Sequence, residues 1–459
     1  MTGPRRLFIP LVSLAISSVT AQDWTMFGFD PRHTSFNHQE TTISRENVSG
    51  LKESWFNIHA GTISASPTVV NGRLYFGTWT GQFVASDAAT GQVLWTQDVG
   101  VAGPPEMEQC FPSIGVAGQV YVYDDLVFVP GGDSFLYALK IDTGEVAWKL
   151  KLADTSAGAH LWSSFTRAGD YLYLGIASLG DCPLTRGALA RIDLRDPQNP
   201  TFKYLMPENE VGAGIWSTPA VDEETDTIYA TTGTGEFNAD NKQWGGALLA
   251  IEGKTLDIRA HYMLPTLDNE GDIEWGSSPT VVRTPSGRKI VVATGKDGIL
   301  YALQASDLSL VYTVRLAIQC ICPECGCGSV STPAYDGRYL YVGAGVSDPD
   351  LFEDGSIYAL DPDTGNIAWG GPIFGTIIAP VTVANGLVYA STMDGLKIFN
   401  SDTGEMVFAD EGRGGLFSQP VVTGGNVYCT FFRGYSSAYH IDEEAVAPPP
   451  EETASSRNR

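Results

Sequence analysis

The sequence predicts an all-β fold: an eight-bladed β-propeller of four-stranded antiparallel blades, with the ring closed by an N-terminal strand. The 459 residues include 51 glycines and 26 prolines, a turn-rich composition typical of repetitive β-proteins. A small residue followed by proline recurs before apolar strands, and an Asp-x-x-Thr-Gly turn followed by Trp recurs after them. A repeat of this length, with about four short strands in each copy, indicates one propeller blade per copy.

The two ends of the chain differ from the repeats. Residues 1–21 place two arginines before a short apolar run and end in small residues, a pattern typical of a secretory signal. The run is too short to cross a bilayer, so we expect a secreted or periplasmic protein with no membrane span. Residues 22–441 form the predicted propeller, and residues 442–459, rich in proline and acidic residues, form a predicted disordered tail.

Eight units follow an N-terminal segment that runs from Trp24 to a strand near Trp55. The eighth unit ends near His440 and is short by one strand, which the strand near Trp55 can supply, removing a free sheet edge. Seven blades are the alternative if the weak third or eighth unit is miscounted. The units start at Ser66, Gly118 and Trp162, share residues 214–303 as the fourth and fifth, and continue from Ser331, Ala379 and Gln419.

The recurrent turn and tryptophan each have a physical role. The aspartate of Asp-x-x-Thr-Gly caps a tight bend, and the glycine supplies the positive φ that a hairpin needs. The tryptophan that follows, as in Asp87 to Trp95 and Asp361 to Trp369, is large enough to wedge between neighbouring blades.

The charge balance excludes two classes of partner. The formal net charge is −25 and the pI is about 4.5. Binding to nucleic acid or to an anionic membrane needs a basic surface, so neither is expected as a partner.

Four of the seven cysteines lie close together, at Cys320, Cys322, Cys325 and Cys327. This spacing allows three disulfide pairings or a four-thiolate metal site, and export favours disulfides. Cys429 lies in a strand pattern and is predicted to be a buried free thiol. No Cys-x-x-Cys-His segment is present, so no covalently attached haem is expected, and the scattered histidines form no zinc-spaced cluster.

The repeat resembles the pyrroloquinoline quinone (PQQ) repeat of quinoprotein alcohol dehydrogenases and of several non-enzymatic propellers. The segment from Trp24 to Trp55 also looks like the start of those enzymes, especially the polyvinyl-alcohol-dehydrogenase-like branch. The resemblance covers nearly all of residues 23–441; it is specific for the fold and weak for function. It implies a PQQ on the ring axis, between a tryptophan floor and a cysteine-containing ceiling, with Ca²⁺ beside it.

Three matches imply the catalytic site. Gly212 to Trp216 resembles the segment with the stacking tryptophan, so Trp216 is the candidate floor under the cofactor. Glu274, with Asp272 nearby, lies where the family has its catalytic aspartate and is the candidate base. Lys296 matches the cation that hydrogen-bonds the quinone carbonyl and would stabilise negative charge there. The alternatives are a blade-interface tryptophan, a solvated acidic loop and a rim lysine.

The predicted Ca²⁺ ligands and the cysteine expected above the cofactor match the family less well. The loop with Asp181 aligns with the loop that gives a carboxylate to Ca²⁺, and the same loop offers Arg186 to the cofactor. Thr234, a poor substitute for an amide oxygen, occupies the turn of the second ligand, and Glu274 could be a third. Cys110 lies where relatives have two adjacent cysteines, and a Cys110–Cys182 disulfide is plausible.

The resemblance implies an exported quinoprotein dehydrogenase that oxidises a small or polymeric alcohol and passes electrons to a separate acceptor. Two alternatives stay open: a non-catalytic propeller that acts as a binding or scaffold protein, and a propeller enzyme that uses the axial pocket without quinone.

Overall fold

The computed structural model describes residues 23–103, 113–180, 183–268, 272–319, 322, 325–348, 350, 354–415 and 417–442. Almost all the regular structure in these ranges is β, in strands β1–β36, apart from short 3-10 turns at Val48–Gly50 and Thr155–Ala157. The strands form eight consecutive blades, and their pairing within each blade is antiparallel. The predicted eight-bladed propeller is therefore confirmed.

The first three blades follow each other along the chain. Blade 1 consists of β3 (Thr68–Val70), β4 (Arg73–Gly77), β5 (Gln82–Asp87) and β6 (Val93–Asp98). Blade 2 consists of β7 (Tyr121–Tyr123), β8 (Leu126–Pro130), β9 (Phe135–Lys140) and β10 (Val146–Lys151). Blade 3 has a split inner strand, β11 (Ala159–His160) and β12 (Thr166–Ala168), which both pair with β13 (Tyr171–Ser178), followed by β14 (Ala188–Asp193) and β15 (Thr201–Tyr204).

Blade 4 carries an inserted hairpin. It consists of β16 (Ala220–Asp222), β17 (Thr227–Thr231), β20 (Ala247–Glu252) and β21 (Ile258–Met263), with the hairpin β18 (Phe237–Asn238) and β19 (Gln243–Trp244) between its second and third strands. Blade 5 consists of β22 (Thr280–Arg283), β23 (Lys289–Thr294), β24 (Ile299–Gln304) and β25 (Leu310–Arg315).

The last three blades close the ring. Blade 6 consists of β26 (Ala334–Tyr335), β27 (Leu340–Gly345), β28 (Gly355–Leu360) and β29 (Ile367–Ile373). Blade 7 consists of β30 (Thr382–Ala384), β31 (Leu387–Ser391), β32 (Gly395–Asn400) and β33 (Met406–Glu411), with β1 (Phe36–Asn37) added in parallel to β30. Blade 8 consists of β34 (Val421–Thr423), β35 (Asn426–Phe431) and β36 (Tyr435–Ile441), and β2 (Leu51–Ile58) completes it.

The closure by β2 confirms the predicted N-terminal strand. Residues from Leu51 to Ile58 pair antiparallel with β36, so the two ends of the repeat region share one sheet. Closing a ring in this way protects the edge of the last blade from pairing with another chain.

The core is divided among the blade interfaces. Eight clusters of buried apolar side chains each join two neighbouring blades. A single blade has no second sheet of its own to pack against, so its apolar faces can be buried only by its neighbours.

Tryptophans from outer strands reinforce these interfaces. The Trp95 Nε1 of blade 1 donates to the Ile141 carbonyl of blade 2 at 3.1 Å, and a Cβ added at Gly144 would lie 2.4 Å from the Trp95 ring. Gly144 has a φ of +73°, so the turn glycine is required both by the backbone and by the indole packed on it. Trp55 on Gly91 and Trp369 on Gly404 repeat this contact, which confirms the predicted wedge between blades.

Residues 24–37, called the axial segment below, run along the innermost strands of several blades and pair with them. Its carbonyl groups accept hydrogen bonds from the innermost strands of four successive blades. The donors are the backbone N–H groups of Val221, Val281, Tyr335 and Val383, and the acceptors are Pro31, Arg32, Thr34 and Ser35.

His33 fixes the centre of the axial segment. Its ring is fully buried; Nδ1 lies 3.0 Å from the Pro279 carbonyl and Nε2 lies 2.8 Å from Thr166 Oγ1. A carbonyl can only accept, so Nδ1 carries the proton and Nε2 accepts from the threonine hydroxyl. Burial lowers the pKa of His33 to about 3, so the ring stays neutral while it links blades 3 and 5.

The cysteines partly resolve the choice left by the sequence. Cys322 and Cys325 form a disulfide and Cys327 is also disulfide-bonded, so a four-thiolate metal site is wrong. Cys429 is free and buried, as predicted.

Among the residues that the structure describes, no helix has the length and hydropathy needed to cross a membrane.

Candidate active site on the propeller axis

Polar side chains form a ring around the propeller axis, just before each innermost strand. Many of the ring's hydroxyl groups accept a backbone N–H from the neighbouring blade, as when Ser164 N donates to Thr218 Oγ1 at 3.1 Å and Thr218 N donates to Ser278 Oγ at 2.8 Å. Seven of the eight ring positions are polar and one is proline: Ser66, Gln119, Ser164, Thr218, Ser278, Thr332, Pro380 and Gln419. The small residue before proline in the repeat is therefore a hub residue that links adjacent blades.

The residues two positions earlier line a cavity of about 520 Å³ on the axis. They are Ser64, Ala117, Trp162, Trp216, Gly276, Val330, Ile378 and Phe417. Small and large side chains mix at these equivalent positions, so the cavity is asymmetric, with two indoles on the side of blades 3 and 4. Phe27 of the axial segment also lines it, held by an edge-to-face contact with His33 at 5.0 Å.

A cluster of one ammonium and two carboxylates lies on the wall of this cavity. Lys296 Nζ is 2.8 Å from Asp272 Oδ2 and 3.1 Å from Glu274 Oε1. Loop position explains the convergence: Asp272 and Glu274 precede the innermost strand of blade 5, while Lys296 lies in the turn between its next two strands. The Lys296 N–H donates to the Glu274 carbonyl at 3.0 Å, which joins the two loops.

Burial and the neighbouring charges shift the pKa of Lys296 in opposite directions. Burial by itself lowers the pKa of Lys296, but the carboxylates of Glu274 and Asp272 outweigh it, and the net pKa is raised above the usual lysine value. Lys296 is therefore a protonated hydrogen-bond donor at neutral pH.

Thr234 holds Glu274 from the other side. Its backbone N–H donates to Glu274 Oε2 at 2.5 Å and its hydroxyl lies 3.0 Å from the same oxygen. The preceding Gly233 lets this turn approach, because an added Cβ would lie 2.5 Å from Glu274 Oε2. Glu274, with 7% of its surface exposed, is thus fixed by donors on both carboxylate oxygens.

Asp272 is held under strain. Its φ is +54°, in the left-handed region that side chains other than glycine seldom adopt. Its Oδ1 atom is buried without a hydrogen-bond partner among the described residues, while Oδ2 pairs with Lys296. Unusual backbone conformations in well-packed proteins are concentrated at functional sites.

Trp216 faces the same cavity. The Lys296 ammonium lies 5.7 Å from the centroid of the Trp216 ring, so the indole and the cation face one volume. A flat aromatic face, a charged donor beside it and a cavity of the usual size for a small ligand together fit a planar, carbonyl-bearing ring such as PQQ.

The described oxygen atoms do not fit Ca²⁺. Thr234, predicted as a ligand, turns two donors toward Glu274, and the Lys296 ammonium faces both carboxylates. Two unit charges 4 Å apart interact by about 4 kcal/mol at an effective dielectric constant of 20, and the repulsion doubles for a divalent ion. Among the described residues, no group of three His, Cys, Asp or Glu side chains is arranged to hold a metal.

The remaining predicted residues lie elsewhere. Arg186 is not among the described residues that line the cavity: its Nε donates to the Met206 carbonyl at 2.8 Å, and its guanidinium lies 4.1 Å from the Tyr204 ring centroid. Its predicted contact with the cofactor is therefore not supported. Asp181, Cys110 and Cys182 lie outside the described residues, and so does the proposed Cys110–Cys182 bond.

Sequence reasoning missed part of the aromatic wall. Trp162 occupies the position in blade 3 that Trp216 occupies in blade 4, and this shared register was a signal that could have identified it. Trp79 lies in a turn of blade 1 and contacts Phe432 of blade 8 edge-to-face at 5.3 Å. Phe27 precedes the repeats, so no repeat position marks it as a cavity residue.

An eight-bladed propeller with an aromatic-walled axial cavity and an acid–ammonium cluster is the architecture that the PQQ-repeat resemblance implied. The chain belongs to the PQQ_2 family, whose model, described as outer membrane protein assembly factor BamB, matches residues 35–307 and 267–445.

Curated relatives extend over most of the chain. A polyvinylalcohol dehydrogenase from Pseudomonas sp. is 23% identical, over 92% of this chain and 74% of the relative. A polyvinylalcohol dehydrogenase from Sphingopyxis sp. is 24% identical, over 89% of this chain and 72% of the relative.

Solved structures share the fold. A europium-containing methanol dehydrogenase superposes with a TM-score of 0.75 and 15% identity, covering 91% of this chain and 98% of its own. A quinohemoprotein alcohol dehydrogenase from Comamonas testosteroni gives a TM-score of 0.73 and 16% identity, covering 91% of this chain and 80% of its own.

Proposed function

We propose that this chain is a quinoprotein dehydrogenase that oxidises an alcohol with PQQ in the axial cavity. The observation that carries the proposal is the convergence of the Trp216 indole, the Lys296 ammonium and the Glu274–Asp272 carboxylates on one cavity. These groups come from separate loops of blades 4 and 5, and folding the propeller places them together.

The names of the relatives support the same reaction class. Proteins named as polyvinylalcohol dehydrogenases match along most of the chain, and structures named as quinohemoprotein and methanol dehydrogenases share its fold. An alcohol, whether small or polymeric, is therefore the substrate class that we propose.

The chain's own residues have distinct roles in this proposal. PQQ, when bound, supplies the hydride acceptor. Trp216 offers it a flat apolar face, and Lys296 donates a charged hydrogen bond to an oxygen on which negative charge grows. A carboxylate of the Glu274–Asp272 pair takes the proton of the alcohol hydroxyl, which requires a base within hydrogen-bond reach of the substrate.

The location and the electron acceptor also belong to the proposal. The signal-like residues 1–21 support export, and the absence of a Cys-x-x-Cys-His segment supports transfer of electrons to a separate acceptor. No step is assigned to Ca²⁺, because the described oxygens around Glu274 do not suit it.

The test is reconstitution of the purified chain with PQQ, followed by dye-linked oxidation of a panel of primary, secondary and polymeric alcohols. We expect stoichiometric binding of the quinone and alcohol-dependent dye reduction. The Lys296→Met variant should lose about 10²–10³-fold in kcat, as when one preorganised donor to a developing oxyanion is removed.

Lys397→Met is the matched control. Lys397 is also buried and also near a carboxylate, 3.4 Å from Asp394 Oδ2, but it belongs to blade 7 and does not line the cavity. Its loss should leave kcat within about threefold. A chain that binds no quinone and reduces no dye with any alcohol would contradict the proposal and favour a binding or scaffold role.

A further inference from the structure

The Lys296 ammonium lies where a bound cation would neutralise the two carboxylates. It is 2.8 Å from Asp272 Oδ2 and 3.1 Å from Glu274 Oε1, and its side chain is only 11% exposed. Glu274 is buried whereas the Asp272 side chain is 37% exposed, so the negative charge of Glu274 in particular needs a positive partner. Lys296 already supplies that charge from within the chain.

Thr234 completes the arrangement on the far side of Glu274. The Thr234 backbone N–H and the Thr234 hydroxyl both donate to Glu274 Oε2, so the hydrogens of both groups point toward this carboxylate. The carboxylate oxygens of Glu274 therefore accept hydrogens on both sides. A cation at the same oxygens would have to displace these donors and approach an ammonium group.

The coordination number leads to the same conclusion. Ca²⁺ takes six to eight oxygen ligands. In the part of the chain that the structure describes, Glu274 and Asp272 are the carboxylates that line the cavity, and no set of three metal-binding side chains occurs. Glu236, in the same turn as Thr234, pairs with Gln243 Nε2 at 3.2 Å in the inserted hairpin and does not line the cavity.

We propose that the Lys296 ammonium is the resident cation of this site, and that the chain binds its quinone without a divalent cation on the Glu274–Asp272 pair. This inference rests on the proposed function for the identity of the ligand, but the cation preference of the carboxylate pair can be measured without it.

The first experiment measures PQQ affinity on metal-depleted protein, by absorbance and by quenching of tryptophan fluorescence. We expect the Kd in excess EGTA and the Kd in millimolar Ca²⁺ to agree within about twofold. A tenfold or larger tightening by Ca²⁺ would overturn the inference while leaving the proposed function intact. Failure to bind PQQ under either condition would instead overturn the proposed function.

The second experiment needs no quinone and uses Tb³⁺ as the probe. Tb³⁺ bound at the carboxylate pair would be excited through the nearby Trp216 indole and would give sensitised luminescence. We expect the wild-type chain to give no saturable emission beyond that of the Glu274→Gln variant, which accounts for surface binding by this acidic protein.

Removing the ammonium should open the site to a metal. The Lys296→Met variant, similar in length but uncharged, should gain saturable Tb³⁺ emission of at least tenfold over wild type, and adding Glu274→Gln should abolish it. Saturable emission from wild type that Glu274→Gln removes would overturn the inference. So would a folded Lys296→Met chain, checked by circular dichroism against Lys397→Met, that gains no emission. If Lys296→Met does not fold, the wild-type titration and the PQQ measurement still decide the question.

Discussion

The tryptophans of this protein occupy two regions with different roles. At the outer rim, Trp95 and its equivalents Trp55 and Trp369 pack on the turn glycine of the next blade and donate their indole N–H to a backbone carbonyl there. At the axis, Trp162 and Trp216 line a cavity, and Trp216 faces the Lys296 ammonium.

This difference shows that a residue type that recurs from blade to blade indicates packing between blades. A position whose residue type varies from blade to blade indicates a functional site. Trp95 and Trp369 each follow an Asp-x-x-Thr-Gly turn by four residues, and both make the same contact as Trp55. The axial positions hold serine, alanine, glycine, valine, isoleucine, phenylalanine or tryptophan in different blades. Only folding shows which of those side chains meet.

The largest expected effect is the loss of stability on removal of a rim tryptophan. Trp95→Ala removes the ring packed on Gly144 and the hydrogen bond to the Ile141 carbonyl. Because Trp95 is only partly buried, we expect a loss of about 2–3 kcal/mol in the free energy of unfolding, below the range for a fully buried tryptophan. Urea unfolding measures this loss, and PQQ affinity should not change. An equal loss of stability and of affinity would remove the distinction between the two regions.

The next expected effect, of intermediate size, is on the pH dependence of stability. His160 is fully buried edge-to-face against the axial Trp162, at 4.9 Å, and burial lowers its pKa to about 3 from 6.5. A histidine kept neutral in the fold but protonated when unfolded stabilises the protein fully above pH 6.5, and this contribution is lost as the pH falls from 6.5 toward 3.

His160→Phe should therefore flatten the acid limb of the stability curve. One proton corresponds to about 1.4 kcal/mol per pH unit, so the difference between wild type and variant should change by that slope below pH 6.5. Chemical unfolding from pH 7 to 4.5 measures it. Parallel curves for the two proteins would show that His160 has the same pKa in the folded and unfolded states, which would contradict the prediction.

The smallest expected effect is on the axis. Trp216→Ala removes a flat aromatic face from the cavity. It leaves intact the contacts that the rim tryptophans make with the turn glycines of the next blade. Stacking of aromatic rings contributes about 0.5–1.5 kcal/mol beyond the buried area, so PQQ affinity should fall by up to about tenfold. Fluorescence titration measures the affinity, and Trp162→Ala gives a comparison from the equivalent position of blade 3. Unchanged affinity in Trp216→Ala would remove the stacking role.

The sequence predictions for the rim and for the axis had different origins. The turn glycines, the rim tryptophans and the closing strand near Trp55 were all identified from local patterns, because each depends on residues a few positions apart or on a repeat. The predicted positions of Trp216, Glu274 and Lys296 came from the resemblance, and the structure brings all three to one cavity.

Two predicted site residues make side-chain contacts that matching residues one at a time did not indicate. Arg186 lies in the expected loop, but its side chain turns outward onto Tyr204. Thr234 lies in the expected turn, and its backbone N–H and hydroxyl both donate to Glu274 Oε2. The direction of a side chain depends on its neighbours in space, which a one-dimensional match does not contain.

The sequence by itself determined the architecture of this protein. Eight copies of one strand pattern cannot bury their apolar faces singly, so they must pack into a ring, and a missing strand in the last copy must come from the other end of the chain. The tertiary structure alone decided the chemistry of the axis. Residues 234, 274 and 296 belong to different loops, and only the closed ring fixes which atom donates, which accepts and where the positive charge lies.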